Sequence, residues 1–134
     1  MSVSELLGNV VRWAAEDASV VGVALVGSHA RGVARPDSDV ELVILTLDLR
    51  PYLEDTGWLE RFGTVTSCKT EAWGPVTSLR VFFESGLEAE FGLTTPVWAE
   101  LPVDAGTRRV VSDGMRILYD SGDVLGRLQQ AVTA

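Results

Sequence analysis

Asp39 and Glu41 stand at alternate positions at the head of an apolar run, Val40 to Leu47, and ten residues separate them from a small turn, Gly27-Ser28. Alternate side chains of a strand share a face. Asp39 and Glu41 therefore point one way, while Val40 and Leu42 point into a core. Two carboxylates side by side repel each other unless a cation lies between them. Mg²⁺ suits a few carboxylates joined by phosphate oxygens and water. Alone, an Asp-x-Glu is also what a solvated strand edge looks like, and the Gly27-Ser28 turn changes that balance. Gly27 can take a backbone shape closed to other residues and lets a phosphate approach. Ser28 offers a hydroxyl at the start of a helix, where free N–H groups attract anions. Arg31, in the same turn, either adds charge to a phosphate or pairs with Asp37 at the surface. His29, the single histidine, either lines a cleft or takes part in chemistry. Pro36 and Ser38 read as turn residues, so Asp37 is assigned to the turn and not to the acidic pair.

Regular elements must hold these groups in place. Leu6, Leu7, Val10, Val11 and Ala14 recur at helical spacing over 4–17, with Ser4 as a cap. Val20 to Val26 is a nearly continuous apolar run, as in a strand buried on both faces. A short helix over 29–33, the turn at 35–38 and a second strand over 39–47 follow. Pro51 suits a first helical position, which predicts a helix over 51–62. Strands are expected over 64–73, 76–84 and 87–94, helices over 105–113 and 124–133, and a short strand over 115–119. Helices and strands alternate first and antiparallel strands dominate later. That order predicts an α+β fold: a mixed, mainly antiparallel sheet with helices packed on one side.

The chain has 134 residues, a length that favours one domain spanning 1–134. Its apolar content of 46% is enough for a sheet-and-helix core. The net charge of −8 and the eleven scattered Lys and Arg argue against a broad nucleic-acid surface. A nucleotide remains compatible, because a metal can neutralise its phosphates. Cys68 is the lone cysteine, which excludes an intrachain disulfide and reads as core or near-core. The N-terminus is unlike a signal peptide and no apolar run approaches the ~20 residues of a membrane span, so a cytoplasmic protein with no membrane contact is expected. Trp13, Trp58, Trp73 and Trp98 read mainly as core fillers, any one of which could stack on a base.

The pattern G-S-x-A-R-G in Gly27-Ser28, Ala30-Arg31-Gly32, followed by S-D-h-D/E-L in Ser38-Asp39-Val40-Glu41-Leu42, resembles the signature of the DNA polymerase beta nucleotidyltransferase superfamily. It is closest to the small, single-domain bacterial members and the aminoglycoside nucleotidyltransferases. The element order extends the likeness through roughly residue 94. The resemblance implies the minimal nucleotidyltransferase fold, with Asp39 and Glu41 as catalytic metal ligands and Gly27 and Ser28 holding a nucleoside triphosphate. Glu41 departs from the commoner Asp, a change that some antibiotic-modifying members share.

The resemblance also implies a third carboxylate on a later strand, and the chain offers Glu88 and Glu90. Phe83-Glu84-Ser85-Gly86 fits a type I turn with Gly86 in the left-handed region. In that register Phe83 faces Leu87, Val81 faces Ala89 and Arg80 faces Glu90. Leu79, Val81, Phe83, Leu87, Ala89 and Phe91 then share an apolar side, with Arg80, Phe82, Glu88 and Glu90 opposite. A slip by one residue would bring Arg80 onto the apolar side. Glu90 is preferred over Glu88 as catalytic and metal-binding residue, to complete a metal site, to accept the proton of an attacking hydroxyl, or both. Arg80 beside it either holds the carboxylate, touches phosphate, or forms a plain cross-strand ion pair.

The expected activity is metal-dependent transfer of a nucleoside monophosphate, AMP from ATP, onto an acceptor hydroxyl of a protein or small molecule, with loss of pyrophosphate. Two Mg²⁺ ions are the expected cofactors. Residues 95–134 leave no room for a large helical substrate domain, so a homodimer, a helical partner protein or a protein acceptor is expected. Small members paired with helical HEPN-type toxins supply the family precedent. The alternative is a non-catalytic, antitoxin-like module that keeps the fold and binds nucleotide or a partner.

Overall fold

The computed structural model describes residues 1–133, with Trp73 described by its backbone alone. Helix α1 spans Val3–Glu16. Its N-cap is Ser2 rather than the expected Ser4: the Ser2 hydroxyl accepts from the Glu5 backbone N–H, and the Glu5 carboxylate accepts from the Ser2 N–H. Leu6, Val10, Trp13 and Ala14 form its buried stripe.

The chain then builds β1 (Val20–Val26), α2 (Gly27–Arg31), β2 (Val40–Thr46) and α3 (Arg50–Glu54). The helix expected over 51–62 is interrupted. Asp55 is extended (φ −134°) and its side chain accepts from the Gly57 N–H, so the segment restarts as a 3-10 turn over Thr56–Arg61. Strands β3 (Val65–Trp73), β4 (Val76–Phe83) and β5 (Glu88–Thr94) follow, then a 3-10 turn over Pro96–Ala99, α4 (Ala105–Asp113), β6 (Met115–Asp120) and α5 (Val124–Thr133).

The six strands form one sheet in the order β3-β4-β5-β2-β1-β6. Every pairing is antiparallel except β2 with β5, which is parallel. The mixed, mainly antiparallel sheet is thus as expected. The helices, expected on one side, cover both. Strand alternation splits the apolar residues into two sets, and each needs its own cover. Val40, Leu42 and Ile44 of β2 join Leu79, Val81, Ala89, Phe91 and Leu93 beneath α1 and the Thr56–Arg61 turn. Val43 and Leu45 face the other way, onto Trp98, Val111, Leu125 and Leu128. In the first layer Trp13 stacks on Trp58 with ring centroids 4.9 Å apart, and Phe62 stacks on Phe91 at 5.5 Å. Trp13 and Trp58 are therefore core fillers, as read from the sequence. Among the described residues, no helix is long and apolar enough to cross a membrane.

Candidate active site

Glu41 lies in β2 with its side chain on the α4 side of the sheet, because its neighbours Val40 and Leu42 are buried against α1. The β2–β5 register sets Glu41 opposite Glu90, and the β4–β5 register sets Arg80 opposite Glu90. The second of these is the pairing expected from the Gly86 turn. Gly86 has φ +97°, its N–H donates to the Phe83 carbonyl, and the Phe83 N–H donates to the Leu87 carbonyl. One row across the sheet thus reads Val26, Glu41, Glu90, Arg80, Lys69.

Asp39, just before β2, completes a cluster with Glu41 and Glu90 in which one carboxylate oxygen from each lies within 4.8 Å of the others. All three are half-buried. Burial, and then the charges of Asp39 and Glu90, push the Glu41 carboxyl above its usual range, while Arg31 and Arg80 pull it back. Like charges this close call for a cation, and oxygen ligands suit a hard divalent ion. The donor set therefore fits Mg²⁺.

Arg80 supplies positive charge beside this cluster. It donates from Nη1 to Asp39 at 3.2 Å, from Nη2 to Glu90 at 2.9 Å and from Nε to Glu71 at 3.1 Å, with Glu88 at 3.6 Å. Burial alone would lower its pKa, but the bonds to Glu71 and Asp39 and the charges of Glu90 and Glu88 raise it. The arginine therefore stays charged and fixes two of the three cluster carboxylates. Glu88 lies outside the three-carboxylate cluster and contacts Arg80, so the geometry groups Glu90 with Asp39 and Glu41.

Gly27 opens α2 at φ +74°, and its Cα faces the Glu41 carboxylate so closely that a Cβ there would lie 2.8 Å from Glu41 Cδ. The Gly27-Ser28 turn is thus laid directly against the acidic cluster. Gly32, at φ +74°, ends α2, and His29 Nε2 lies 3.3 Å from the Ser38 carbonyl, tying the turn to the segment that leads into Asp39. His29 is in this way a strut of the cleft. Arg31 forms no ion pair with Asp37 among the described residues, and its stem lies over Gly114, where a Cβ would meet Arg31 Cγ at 2.8 Å. Its charge acts on Glu41.

These groups open onto a cavity of about 390 Å³ between the sheet and α4, with Gly27, Arg31, Glu41 and Glu90 at one end. Two contributors escaped the sequence reading. Glu71 meets Arg80 because Gly74 and Pro75 form a two-residue hairpin that pairs Trp73 with Val76 and Lys69 with Arg80. Counting back from that turn would have found it. The cavity itself depends on α4, whose docking no local pattern announces.

The streptomycin adenylyltransferase family profile matches residues 1–78, more than half of the chain. No curated protein matches in sequence. Among solved structures, the aminoglycoside 6-adenyltransferase from Bacillus subtilis is similar with a TM-score of 0.60 at 20% identity, over 74% of this chain and 37% of that one. Cid1 in complex with its short product ApU is similar with a TM-score of 0.50 at 16% identity, over 72% of this chain and 33% of that one. This chain thus spans about a third of the length of either neighbour, and both likenesses concern the fold. The resemblance to the polymerase beta superfamily read from Gly27-Ser28 and Asp39-Val40-Glu41 is borne out: the chain belongs to the streptomycin adenylyltransferase family of nucleotidyltransferases.

Proposed function

We propose that residues 1–134 act as a single nucleotidyltransferase domain that moves AMP from ATP onto a hydroxyl of a protein or small-molecule acceptor. The observation that supports this most is the convergence of Asp39, Glu41 and Glu90 oxygens within 4.8 Å of one another, beside the Gly27 turn. Asp39, Glu41 and Glu90 would hold two Mg²⁺ ions. Bound there, Mg²⁺ supplies charge neutralisation for the phosphates and lowers the pKa of the acceptor hydroxyl.

The protein's own groups do the rest. The Gly27-Ser28 turn, which lies against the Glu41 carboxylate, would receive the β- and γ-phosphates, and Arg31 would add positive charge. Arg80 orients Asp39 and Glu90 before substrate arrives, so little reorganisation is needed at the moment of reaction. The acceptor oxygen forms its bond to the α-phosphorus as the bond to pyrophosphate breaks, and Glu90 would take the hydroxyl proton. A cytoplasmic setting and a helical partner or second copy as acceptor-side surface belong to the same proposal.

The test is incubation of the full chain with α-labelled ATP and Mg²⁺, alone and with candidate acceptors, followed by detection of labelled product and pyrophosphate. Label transfer that needs both Mg²⁺ and Asp39 supports the reading. Tight nucleotide binding with no transfer to any acceptor would make the chain a nucleotide-holding or partner-contacting module instead.

A further inference from the structure

Strand β3 is the outermost strand of the sheet and is hydrogen-bonded on one side only, to β4. Such an edge carries a row of free backbone N–H and C=O groups, and folds protect it with bulges, charges or covering chain. One end of β3 is protected in this way. Its register with β4 shifts between Val65 and Ser67, and the Val65 N–H donates to Glu60 Oε2 at 3.5 Å. From Ser67 to Trp73 the register is continuous, and among the described residues nothing hydrogen-bonds to the outer side of the backbone. The Gly74-Pro75 turn closes this stretch. Its middle residue is Thr70.

Alternation sets Lys69 and Glu71 on the face that carries the acidic cluster, and Cys68, Thr70 and Ala72 on the other. Lys69 is exposed and forms no ion pair among the described residues. Glu71 is half-buried; its Oε1 accepts from Arg80 Nε, and its Oε2 has no partner among the described residues. The free edge therefore offers one unpaired cation and one carboxylate oxygen to spare, two residues apart on one face.

We propose that residues 67–73 pair antiparallel with the same stretch of a second copy of this chain, about a twofold axis at Thr70, so that the two six-stranded sheets become one. A twofold axis between antiparallel strands stands normal to the sheet and sets one residue opposite itself. An axis at Lys69 or at Glu71 would set like charges face to face, which is destabilising. An axis at Cys68 would bring Glu71 opposite Val65, where the ladder is broken and the N–H already taken. An axis at Ala72 would run Lys69 into Pro75 of the turn. Only the axis at Thr70 uses the whole free edge. It sets Lys69 opposite the partner's Glu71 twice, and Thr70 opposite the partner's Thr70, both favourable cross-strand pairs. Because the axis is normal to the sheet, both acidic clusters open on the same face. Five strand spacings of about 4.8 Å separate β5 from its copy, roughly 24 Å. Glu71 then holds Arg80 with one oxygen and the partner's Lys69 with the other, which joins the interface to the guanidinium that fixes Asp39 and Glu90. The pairing stands on the edge geometry and does not depend on the nucleotidyltransferase reading.

The test is sedimentation equilibrium of the full chain, with circular dichroism to report the fold of each variant. The wild-type chain should sediment as a dimer, and Lys69→Glu, which sets two carboxylates face to face across the axis, should weaken association at least tenfold. A second variant reads the register. Directly opposed Cα atoms of antiparallel strands lie about 4.5–5.5 Å apart, within the ~4.4–6.8 Å that a disulfide spans. Thr70→Cys in a Cys68→Ser background should therefore cross-link into dimers on mild oxidation, while the wild-type chain, whose Cys68 lies opposite the partner's Ala72, should not. A monomer at every concentration overturns the proposal. So does a dimer that Lys69→Glu leaves intact, that fails to cross-link through position 70, or that cross-links through Cys68. Each of these results leaves the transfer reading standing, since label transfer from ATP is measured separately.

Discussion

Gly27 and Glu41 are in direct opposition: the glycine Cα faces the carboxylate with no room for a side chain between them, and its φ of +74° lies where L residues are strained. The Gly27-Ser28 turn and the strand that carries Glu41 are thus built as one unit. Gly27→Ala should cost about 1–2 kcal/mol of stability from the backbone alone. It should also displace Glu41 and weaken Mg²⁺-dependent ATP binding at least tenfold. Thermal unfolding and titration calorimetry check both effects. An alanine variant with wild-type ATP affinity would separate the turn from the acidic site.

Asp39 and Glu90 should separate binding from chemistry. Asp39→Asn removes one charge of the cluster and should abolish Mg²⁺-dependent nucleotide binding. Glu90→Gln keeps the shape and one hydrogen-bond acceptor for Arg80, so folding and most nucleotide binding should persist while transfer falls by at least a hundredfold. Parallel binding and transfer assays of the two variants distinguish these outcomes. If Glu88→Gln stops transfer and Glu90→Gln does not, the third carboxylate is Glu88.

Arg80 balances four carboxylates in the absence of metal. Arg80→Met leaves Asp39, Glu71, Glu88 and Glu90 mutually repelling at half-exposed positions, which should cost about 1–2 kcal/mol, less than the 3–5 kcal/mol of a fully buried broken pair. A divalent cation would then take over part of the role of the lost guanidinium. Mg²⁺ should therefore raise the unfolding temperature of Arg80→Met more than that of the wild-type chain. Equal Mg²⁺ shifts in the two proteins would mean that arginine and metal act on separate carboxylates.

Cys68 sits half-buried in β3, paired with Val81, and burial pushes its thiol pKa up. The thiolate is the reactive form, so at pH 8 iodoacetamide should label native Cys68 several-fold more slowly than the same cysteine in urea. Above the ordinary thiol range the unfolded chain loses a proton that the native chain keeps, so this group contributes less stability as pH rises. Equal labelling rates in the native and urea-unfolded chain would place the thiol at the surface.

Several features of the site were legible because they are local. Strand alternation alone separated Glu41 from Val40 and Leu42, and Glu90 from Ala89 and Phe91. A left-handed Gly86 fixed the β4–β5 register, and with it the Arg80–Glu90 pair. Helical spacing found α1, although its cap lay two residues earlier, at Ser2, because the reciprocal bond with Glu5 outweighs a lone hydroxyl at Ser4.

What the chain order could not disclose is which strands become neighbours. Glu41 meets Glu90 only because β2 and β5 pair in parallel across a long stretch of intervening chain. Parallel pairing has no turn to set its register. The second layer of helices and the slot beneath α4 are likewise consequences of packing. Residue types and alternation determined which groups carry charge and which face they share. The distances that let three of them meet, and the space beside them, were decided by how the two apolar faces of one sheet were covered.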